Sequence, residues 1–225
     1  MMRVAVALSG GRDSTALLCL AVARGHDVVA LHVLHPYASP LAVHNAQLAA
    51  RKLNVGLSLL PLDRKALDNA LSRGFQEMAT GDTPWATVCT RCSEIVHKAI
   101  SDAARQLGAN EIWLGMTSVQ KSHMGIEPMK SNPPEVWPMV DRTIEDYAYR
   151  LMRTYGIGYG LRWSPFLTNC RVNWSIMRES LREGRPNPYL GYFLEHTSNR
   201  WKRRVLRVGF KVLNMALRMD PRRKQ

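Results

Sequence analysis

The chain has 225 residues, of which 46% are hydrophobic, and it carries a net charge of +13. This hydrophobic content is ordinary for a globular domain and excludes wholesale disorder. The longest apolar run, Ala16–Ala23, is far shorter than the roughly 20 residues that a membrane span needs, which excludes an integral membrane protein.

Apolar strand patterns and helical patterns alternate along the first 155 residues. The predicted strands are Arg3–Leu8, Asp27–Leu34, Val55–Leu60, Glu111–Met116 and Val136–Val140. The predicted helices are Ser14–Arg24, Ala42–Leu53, Arg64–Ala79, Ser93–Leu107 and Arg142–Tyr155. This alternation predicts an α/β fold with a Rossmann-like, doubly wound parallel sheet. Between the fourth and fifth strands, Thr117–Pro134 has few periodic apolar positions and is predicted to be a long loop.

Two regions follow from this pattern and from the charge. We predict an α/β domain over residues 1–165. Residues 166–225 would form an irregular, cysteine-containing segment and a basic helical extension.

The loop after the first strand has the composition of a phosphate-binding loop. Its candidate ligand-binding residues are Ser9, Gly10, Gly11, Arg12, Asp13, Ser14 and Thr15. Two glycines let the backbone approach a polyanion, and the following helix N-terminus supplies N–H donors beside the hydroxyl groups. Asp13 would be misplaced beside phosphate unless a cation is present, so we predict that it binds Mg²⁺ directly or through water.

This stretch resembles the SGGxDS signature of the PP-loop ATP pyrophosphatase superfamily, with Arg12 at the variable position where lysine is frequent. The resemblance implies that the loop grips the pyrophosphate end of ATP while the α-phosphate is attacked to adenylate a substrate. It also implies a five-stranded parallel sheet. The adenine pocket would lie near the end of the second strand, at Leu31, His32 and Val33.

Four cysteines in 225 residues are too few for a disulfide scaffold. The N-terminus turns polar too early for a signal peptide, so we expect a cytoplasmic protein with reduced or metal-bound thiols. Cys89 and Cys92 are predicted at a helix N-terminus, where the helix dipole and Arg91 would favour thiolates. Cys170, in a proline-flanked segment, is a candidate third ligand, and Cys19 is predicted to be a core residue.

The cysteine segment, with Ala103–Ala109 and Ile112–Gly115, resembles PP-loop tRNA thiolation enzymes and sacrificial sulfur transferases. Some members hold a [4Fe-4S] cluster with three cysteines. The two families place an acidic run where this chain has Met116–Lys121, and the four-cysteine zinc cluster of 7-deazaguanine nitrile synthases is missing. Three interpretations stay open: an Fe–S or other metal site at Cys89, Cys92 and Cys170, a metal-free persulfide or disulfide pair, or structural zinc completed by a histidine. The candidate histidines are His44, His97 and His123.

The last 26 residues contain ten basic residues and one acidic residue. Apolar positions from Trp201 to Met215 recur at helical spacing and predict an amphipathic helix. The predicted nucleic-acid contacts are Arg200, Lys202, Arg203, Arg204, Arg207 and Lys211. A solvated face packed on the core and a membrane-surface helix are the alternatives.

These features together predict an enzyme that adenylates a substrate carbonyl oxygen with ATP and Mg²⁺, releases pyrophosphate and then transfers sulfur. The expected substrate is a tRNA nucleobase, and Gly115 would let it approach the nucleotide. The sulfur would come from a donor such as a cysteine desulfurase system, and a homodimer is one option. Three alternatives remain: amide or nitrile formation on the same fold, sulfur transfer to a small molecule, and a non-catalytic nucleotide- or RNA-binding module.

Overall fold

The computed structural model describes residues 1–38, 40–79, 86–118, 120–121 and 127–157. Its strands are β1 (Arg3–Ala7), β2 (Asp27–Leu34), β3 (Gly56–Pro61), β4 (Glu111–Trp113) and β5 (Glu135–Val136). Its helices are α1 (Arg12–Ala23), α2 (Pro40–Lys52), α3 (Arg64–Ala79), α4 (Ala86–Gln106) and α5 (Arg142–Thr154), with a 3₁₀ turn at Pro138–Val140.

The five strands form one sheet in the order β3-β2-β1-β4-β5. Every strand pair is parallel, with Ala7 level with Leu31 and Val6 level with Trp113. The chain order reverses on either side of β1, so the loop after β1 lies at the topological switch point, where such sheets bind ligands. The predicted α/β fold and five-stranded parallel sheet are confirmed.

Alternation along the strands divides the core into two layers. Val4 and Val6 pack with Leu17 of α1, Ala46 of α2 and Met152 of α5. The intervening Ala5 packs on the other face of the sheet, in a cluster completed by Leu31, Ile100, Ala104, Ile112, Leu114 and Trp137. The sheet is thus covered by α1, α2 and α5 on one side and by α4 on the other.

Three predicted boundaries differ in ways that matter for the site. Helix α1 begins at Arg12, two residues before the predicted start, so Asp13 lies in its first turn. Helix α4 begins at Ala86 instead of Ser93, so Cys92 lies well inside the helix. The predicted fifth strand is cut short after Val136, because Pro138 begins a 3₁₀ turn and lacks the N–H that a strand pairing would use.

Among the described helices, none is both long enough and apolar enough to cross a membrane. The boundary predicted at residues 165 and 166 falls outside the described ranges and stays a prediction.

Candidate functional site

Gly10 is the tightest point of the loop. Its φ of +76° lies in the left-handed region, and a Cβ there would fall on the backbone of Ala42 at the start of α2. Its carbonyl oxygen accepts a hydrogen bond of 3.2 Å from Nδ2 of the buried Asn45. Glycine is therefore required at this position both for the turn and for the close approach of α2.

Side-chain hydroxyl groups hold the rest of the loop in shape. Ser9 Oγ lies 3.0 Å from Ser14 Oγ and accepts a hydrogen bond from the Gly11 N–H. The hydroxyl groups of Ser14 and Thr15 both donate to the Gly11 carbonyl oxygen. Thr15 is fully buried and its hydroxyl shapes the loop, and its predicted role toward pyrophosphate stays a prediction.

The first turn of α1 presents backbone N–H groups to the loop. Gly11 is the N-cap residue and provides no side-chain cap. The first N–H groups of any α-helix lack an acceptor within the helix, so Arg12, Asp13 and Ser14 present backbone donors that an anion can satisfy. The loop thus retains the anion-binding character that the sequence predicts.

Asp13 is held by side chains from distant parts of the chain. Tyr149 in α5 donates its hydroxyl proton to Asp13 Oδ1 at 2.7 Å, and Gln120 Nε2 lies 3.5 Å from Oδ2. The Arg12 guanidinium lies 4.8 Å from the centre of the Tyr149 ring and its Nε is 3.5 Å from Asp13. Burial and the Asp13 carboxylate raise the pKa of Tyr149, which keeps the phenol protonated as the donor.

Glu145 adds a second carboxylate beside Asp13. Burial raises the pKa of Glu145, the negative charge of Asp13 raises it further, and a hydrogen bond from Ser118 opposes the shift. Two oxygen ligands of like charge beside a phosphate-binding loop suit a hard cation that needs charge neutralisation. The donor chemistry of Asp13 and Glu145 therefore fits Mg²⁺.

The predicted adenine-pocket residues do not share one face of β2. Leu31 and Val33 belong to the core on the α4 side. The buried His32 points to the opposite side, where its Nδ1 lies 2.7 Å from the Leu8 carbonyl oxygen. His32 therefore ties β2 to the end of β1, and the burial that lowers its pKa keeps the ring neutral.

Gly115, just beyond β4, packs against the start of α1. A Cβ on Gly115 would lie 2.9 Å from Ser14 N and 3.1 Å from the Asp13 carbonyl carbon. The structure thus gives this glycine a packing role beneath the loop. Its predicted role toward the substrate stays a prediction.

Both cysteines of the CxxC pair lie in α4, and Cys92 faces a histidine that the sequence did not single out. His35, the residue after β2, places Nε2 3.1 Å from Cys92 Sγ. Arg91 does not serve the thiols as predicted, because its guanidinium bonds to Glu77 and Glu94 instead. Cys19 is fully buried in the core, and burial raises its pKa to about 12, so the predicted core assignment is correct.

The predicted metal site cannot be assembled from the described part of the chain. There, no three His, Cys, Asp or Glu side chains gather as a metal site would require. His97 bonds to Glu135 at 2.8 Å and not to a thiol, whereas Cys170 and His123 lie outside the described residues. The Fe–S and zinc interpretations therefore stay predictions. So do the nucleic-acid contacts at Arg200, Lys202, Arg203, Arg204, Arg207 and Lys211, which also lie outside.

Sequence reasoning missed four residues of the site: His35, Gln120, Glu145 and Tyr149. His35 carried a usable signal, because residues that follow parallel strands gather at the ligand-binding edge of the sheet. Tyr149 lies 136 positions from Asp13 in the sequence. The helical periodicity around Tyr149 predicts a helix, but it does not indicate that the side chain contacts Asp13.

Residues 3–124 match the family model described as "Queuosine biosynthesis protein QueC". The chain belongs to this family. The family lies within the PP-loop ATP pyrophosphatase superfamily, whose related members are enzymes, so the predicted superfamily is confirmed. The match includes the loop, the thiol pair and Gly115.

Curated relatives match over about half of this chain. The tRNA-specific 2-thiouridylase MnmA 1 of Clostridium botulinum (strain Okra) is 28% identical over 114 residues, covering 48% of this chain and 32% of its own length. The tRNA-specific 2-thiouridylase MnmA of Oleidesulfovibrio alaskensis is 33% identical over 121 residues, covering 51% and 33% respectively. The matched region thus spans only about a third of these relatives.

A solved structure supports the fold alone. The NMN synthetase from Francisella tularensis superposes with a TM-score of 0.50 and 14% identity, covering 90% of this chain and 86% of that one.

Proposed function

We propose that this protein uses ATP to adenylate a carbonyl oxygen of a tRNA nucleobase and then replaces that oxygen with sulfur. The observation that carries the proposal is the pairing of two sites at one edge of the sheet. The phosphate-binding loop follows β1, and His35, which contacts the Cys92 thiol, follows the neighbouring strand β2.

The loop is suited to the nucleotide step. Backbone N–H groups of the first turn of α1 would bind the pyrophosphate end of ATP, and the exposed Arg12 would add positive charge. The substrate oxygen attacks the α-phosphorus, and the bond to pyrophosphate breaks. Asp13 and Glu145 would hold Mg²⁺, which supplies neutralisation of the phosphate charge when bound.

The thiol pair is suited to the second step. Oxide is a poor leaving group, but the adenylated oxygen departs as part of AMP once a sulfur nucleophile attacks the carbon. Cys92, or Cys89 three residues before it on the same helix, would accept the sulfur as a persulfide from a persulfide donor. The terminal sulfur attacks the carbon, AMP departs, and the other thiol then breaks the S–S bond, which leaves the product sulfur and a Cys89–Cys92 disulfide that a thiol reductant reopens. The matched relatives are named as tRNA-specific 2-thiouridylases, which supports sulfur as the transferred atom.

An RNA substrate is supported by charge. A cavity of about 480 Å³ beside the loop is lined by Arg12, Asp146, Tyr149, Arg150, Met152 and Arg153. Three arginines against one aspartate favour an anionic occupant, and the aromatic ring offers a stacking surface for an unpaired base. The basic segment at residues 200–225 would separately add positive charge for RNA binding.

The test measures pyrophosphate release and incorporation of labelled sulfur into bulk tRNA by the full chain with ATP, Mg²⁺, a thiol reductant, and a cysteine desulfurase with labelled cysteine as the persulfide donor. Asp13→Asn should lower pyrophosphate release on the order of 100-fold. The matched control is Asp27→Asn, at the opposite end of β2, where the carboxylate is half-exposed and pairs with Arg3. Pyrophosphate release unaffected by Asp13→Asn would refute the role of the loop, and absence of any turnover would favour a binding module.

A second candidate is nitrogen transfer by the same adenylation chemistry. The family match favours it, since the matching model is named for queuosine biosynthesis and not for thiolation. Replacing the persulfide donor with ammonia in the same assay separates the two. Pyrophosphate release that depends on ammonia and continues after alkylation of the thiols would favour nitrogen transfer.

A further inference from the structure

The cavity beside the loop has a basic wall on α5. Arg150 and Arg153 lie one turn apart on this helix, both are exposed, and both line the cavity of about 480 Å³. Residues three apart on an α-helix are neighbours on its surface, so the two guanidinium groups are presented together. Asp146 is the one acidic residue in the described lining, and it cannot balance both charges.

The described part of the chain does not neutralise these two arginines. An exposed arginine elsewhere is paired with a carboxylate, as Arg3 is with Asp27 at 2.7 Å. Among the residues that the structure describes, no ion pair involves Arg150 or Arg153. Guanidinium groups without carboxylate partners can bind an external anion, and their fork of N–H donors matches the oxygens of a phosphate group.

A planar stack beside these arginines indicates what kind of phosphate fits. The Arg12 guanidinium lies over the Tyr149 ring, 4.8 Å from its centre, and both side chains line the cavity. Unpaired bases stack on arginine planes and on aromatic rings, whereas the bases of a duplex are covered by their neighbours. Phosphate-binding groups next to a stacking surface fit a nucleotide within a single strand, because a small anion would use the arginines alone.

Tyr149 also places the cavity next to the nucleotide-binding loop. Its ring lines the cavity, while its hydroxyl donates to Asp13 Oδ1 at 2.7 Å. Asp13 is the candidate Mg²⁺ ligand, so one tyrosine side chain separates the cavity from the proposed metal site. The cavity therefore suits a nucleotide that adjoins the modified one, and not the modified nucleobase itself.

We propose that this cavity binds the nucleotide next to the one that is modified. Its phosphodiester would lie on Arg150 and Arg153, and its base against the stack of Arg12 and Tyr149. This assignment rests on the RNA substrate proposed above and narrows it. The substrate is a strand with an unpaired nucleotide beside the target, because a free nucleoside or mononucleotide has no second nucleotide to place in the cavity.

The test is protection of arginine side chains from phenylglyoxal in the full chain, followed residue by residue by peptide mass spectrometry. A short single-stranded oligouridylate at about ten times its Kd should slow modification of Arg150 and Arg153 roughly tenfold, because only about a tenth of the sites stay free. Uridine monophosphate and a fully paired duplex RNA, at the same nucleotide concentration, should leave both arginines reactive. Arg73 is the internal control: it is exposed on α3, which packs against α4 on the other side of the sheet, and its rate should not change.

Matched variants measure what each arginine contributes to affinity. Arg150→Gln and Arg153→Gln should each weaken oligouridylate binding on the order of tenfold, as expected for loss of a hydrogen bond to a charged group. Each should also reduce the slope of log affinity against log salt by about 0.7, the value for one phosphate contact on a single strand. Arg73→Gln should keep the native affinity and slope. Calorimetric titration should show that both cavity variants bind Mg²⁺ and ATP at the native affinity.

Four results would overturn the proposal. They are full reactivity of Arg150 and Arg153 under oligouridylate, equal protection by uridine monophosphate, equal protection by duplex RNA, and loss of ATP binding in the cavity variants. Protection is measured without ATP, so it does not depend on turnover. Protection without pyrophosphate release would refute the adenylation step and leave the RNA site standing, whereas pyrophosphate release without protection would refute the site alone.

Discussion

Replacing Gly10 by alanine tests whether the loop depends on its close approach to α2. Gly10 and Gly25 have nearly equal backbone angles, with φ of +76° and +71°. Alanine at either position therefore incurs the cost of a left-handed L-residue, about 1–2 kcal/mol. At Gly25 nothing lies within 4 Å of the added Cβ, but at Gly10 the Cβ would overlap the Ala42 carbonyl group.

The difference between the two variants isolates this overlap. The added Cβ at Gly10 would clash with backbone atoms of Ala42, so α2 must shift to make room for it. Overpacking of this kind typically costs about 1–3 kcal/mol of unfolding free energy. Gly25→Ala should then lose about 1–2 kcal/mol of unfolding free energy, and Gly10→Ala about 2–5 kcal/mol. Urea denaturation measures both losses.

ATP binding gives an independent measurement on the same pair of variants. Calorimetric titration with Mg²⁺ and ATP should show binding to Gly25→Ala at the native affinity and no binding to Gly10→Ala at nucleotide concentrations that saturate the native chain. Equal losses of stability in the two variants, or native affinity in Gly10→Ala, would refute the reasoning.

Three further predictions concern single side chains. Tyr149→Phe removes a hydrogen bond to the Asp13 carboxylate, and such a bond to a charged group contributes about 1.5–3 kcal/mol. This variant should therefore lower kcat/KM for pyrophosphate release roughly 10- to 150-fold. The control Tyr147→Phe, at an exposed position, should change kcat/KM less than about twofold. Burial raises the pKa of Cys19 to about 12, so iodoacetamide at pH 8 should label Cys19 only after denaturation, and rapid labelling of the folded chain would contradict its core position. The raised pKa of Glu145 means that its ionisation opposes folding, so stability is lost as pH rises through that pKa. Glu145→Gln should therefore stabilise the chain at pH 7 and not at pH 4, and urea denaturation showing a gain only at pH 4 would contradict this.

The strands and the loop were predictable because their signals are local. Apolar runs and helical periodicity determine which segments are strands and helices, and right-handed βαβ connections then lead to a parallel sheet. The bounds of Asp27–Leu34 and Arg64–Ala79 were predicted to the residue. The position of Ser9–Thr15 after the first strand likewise follows from order along the chain.

The surroundings of the functional side chains could not be predicted in the same way. A CxxC pair is compatible with metal, disulfide or persulfide chemistry, and nothing within the helix indicates that His35 faces Cys92. The same holds for Arg91: the sequence places its charge beside the thiols, but in the folded chain its guanidinium donates to Glu77. Contacts of this kind depend on packing between elements, which sequence periodicity does not encode.

By itself, the sequence determined that this chain forms a parallel α/β sheet with a phosphate-binding loop at its switch point, because backbone conformation and apolar periodicity are local properties. Only the tertiary structure decided which side chains serve that loop and the thiols. Tyr149 reaches Asp13 across 136 positions, and His35 reaches Cys92 across 57. These pairs come into contact only because α4 and α5 pack against the sheet, and that packing is a property of the folded chain and not of any local stretch of sequence.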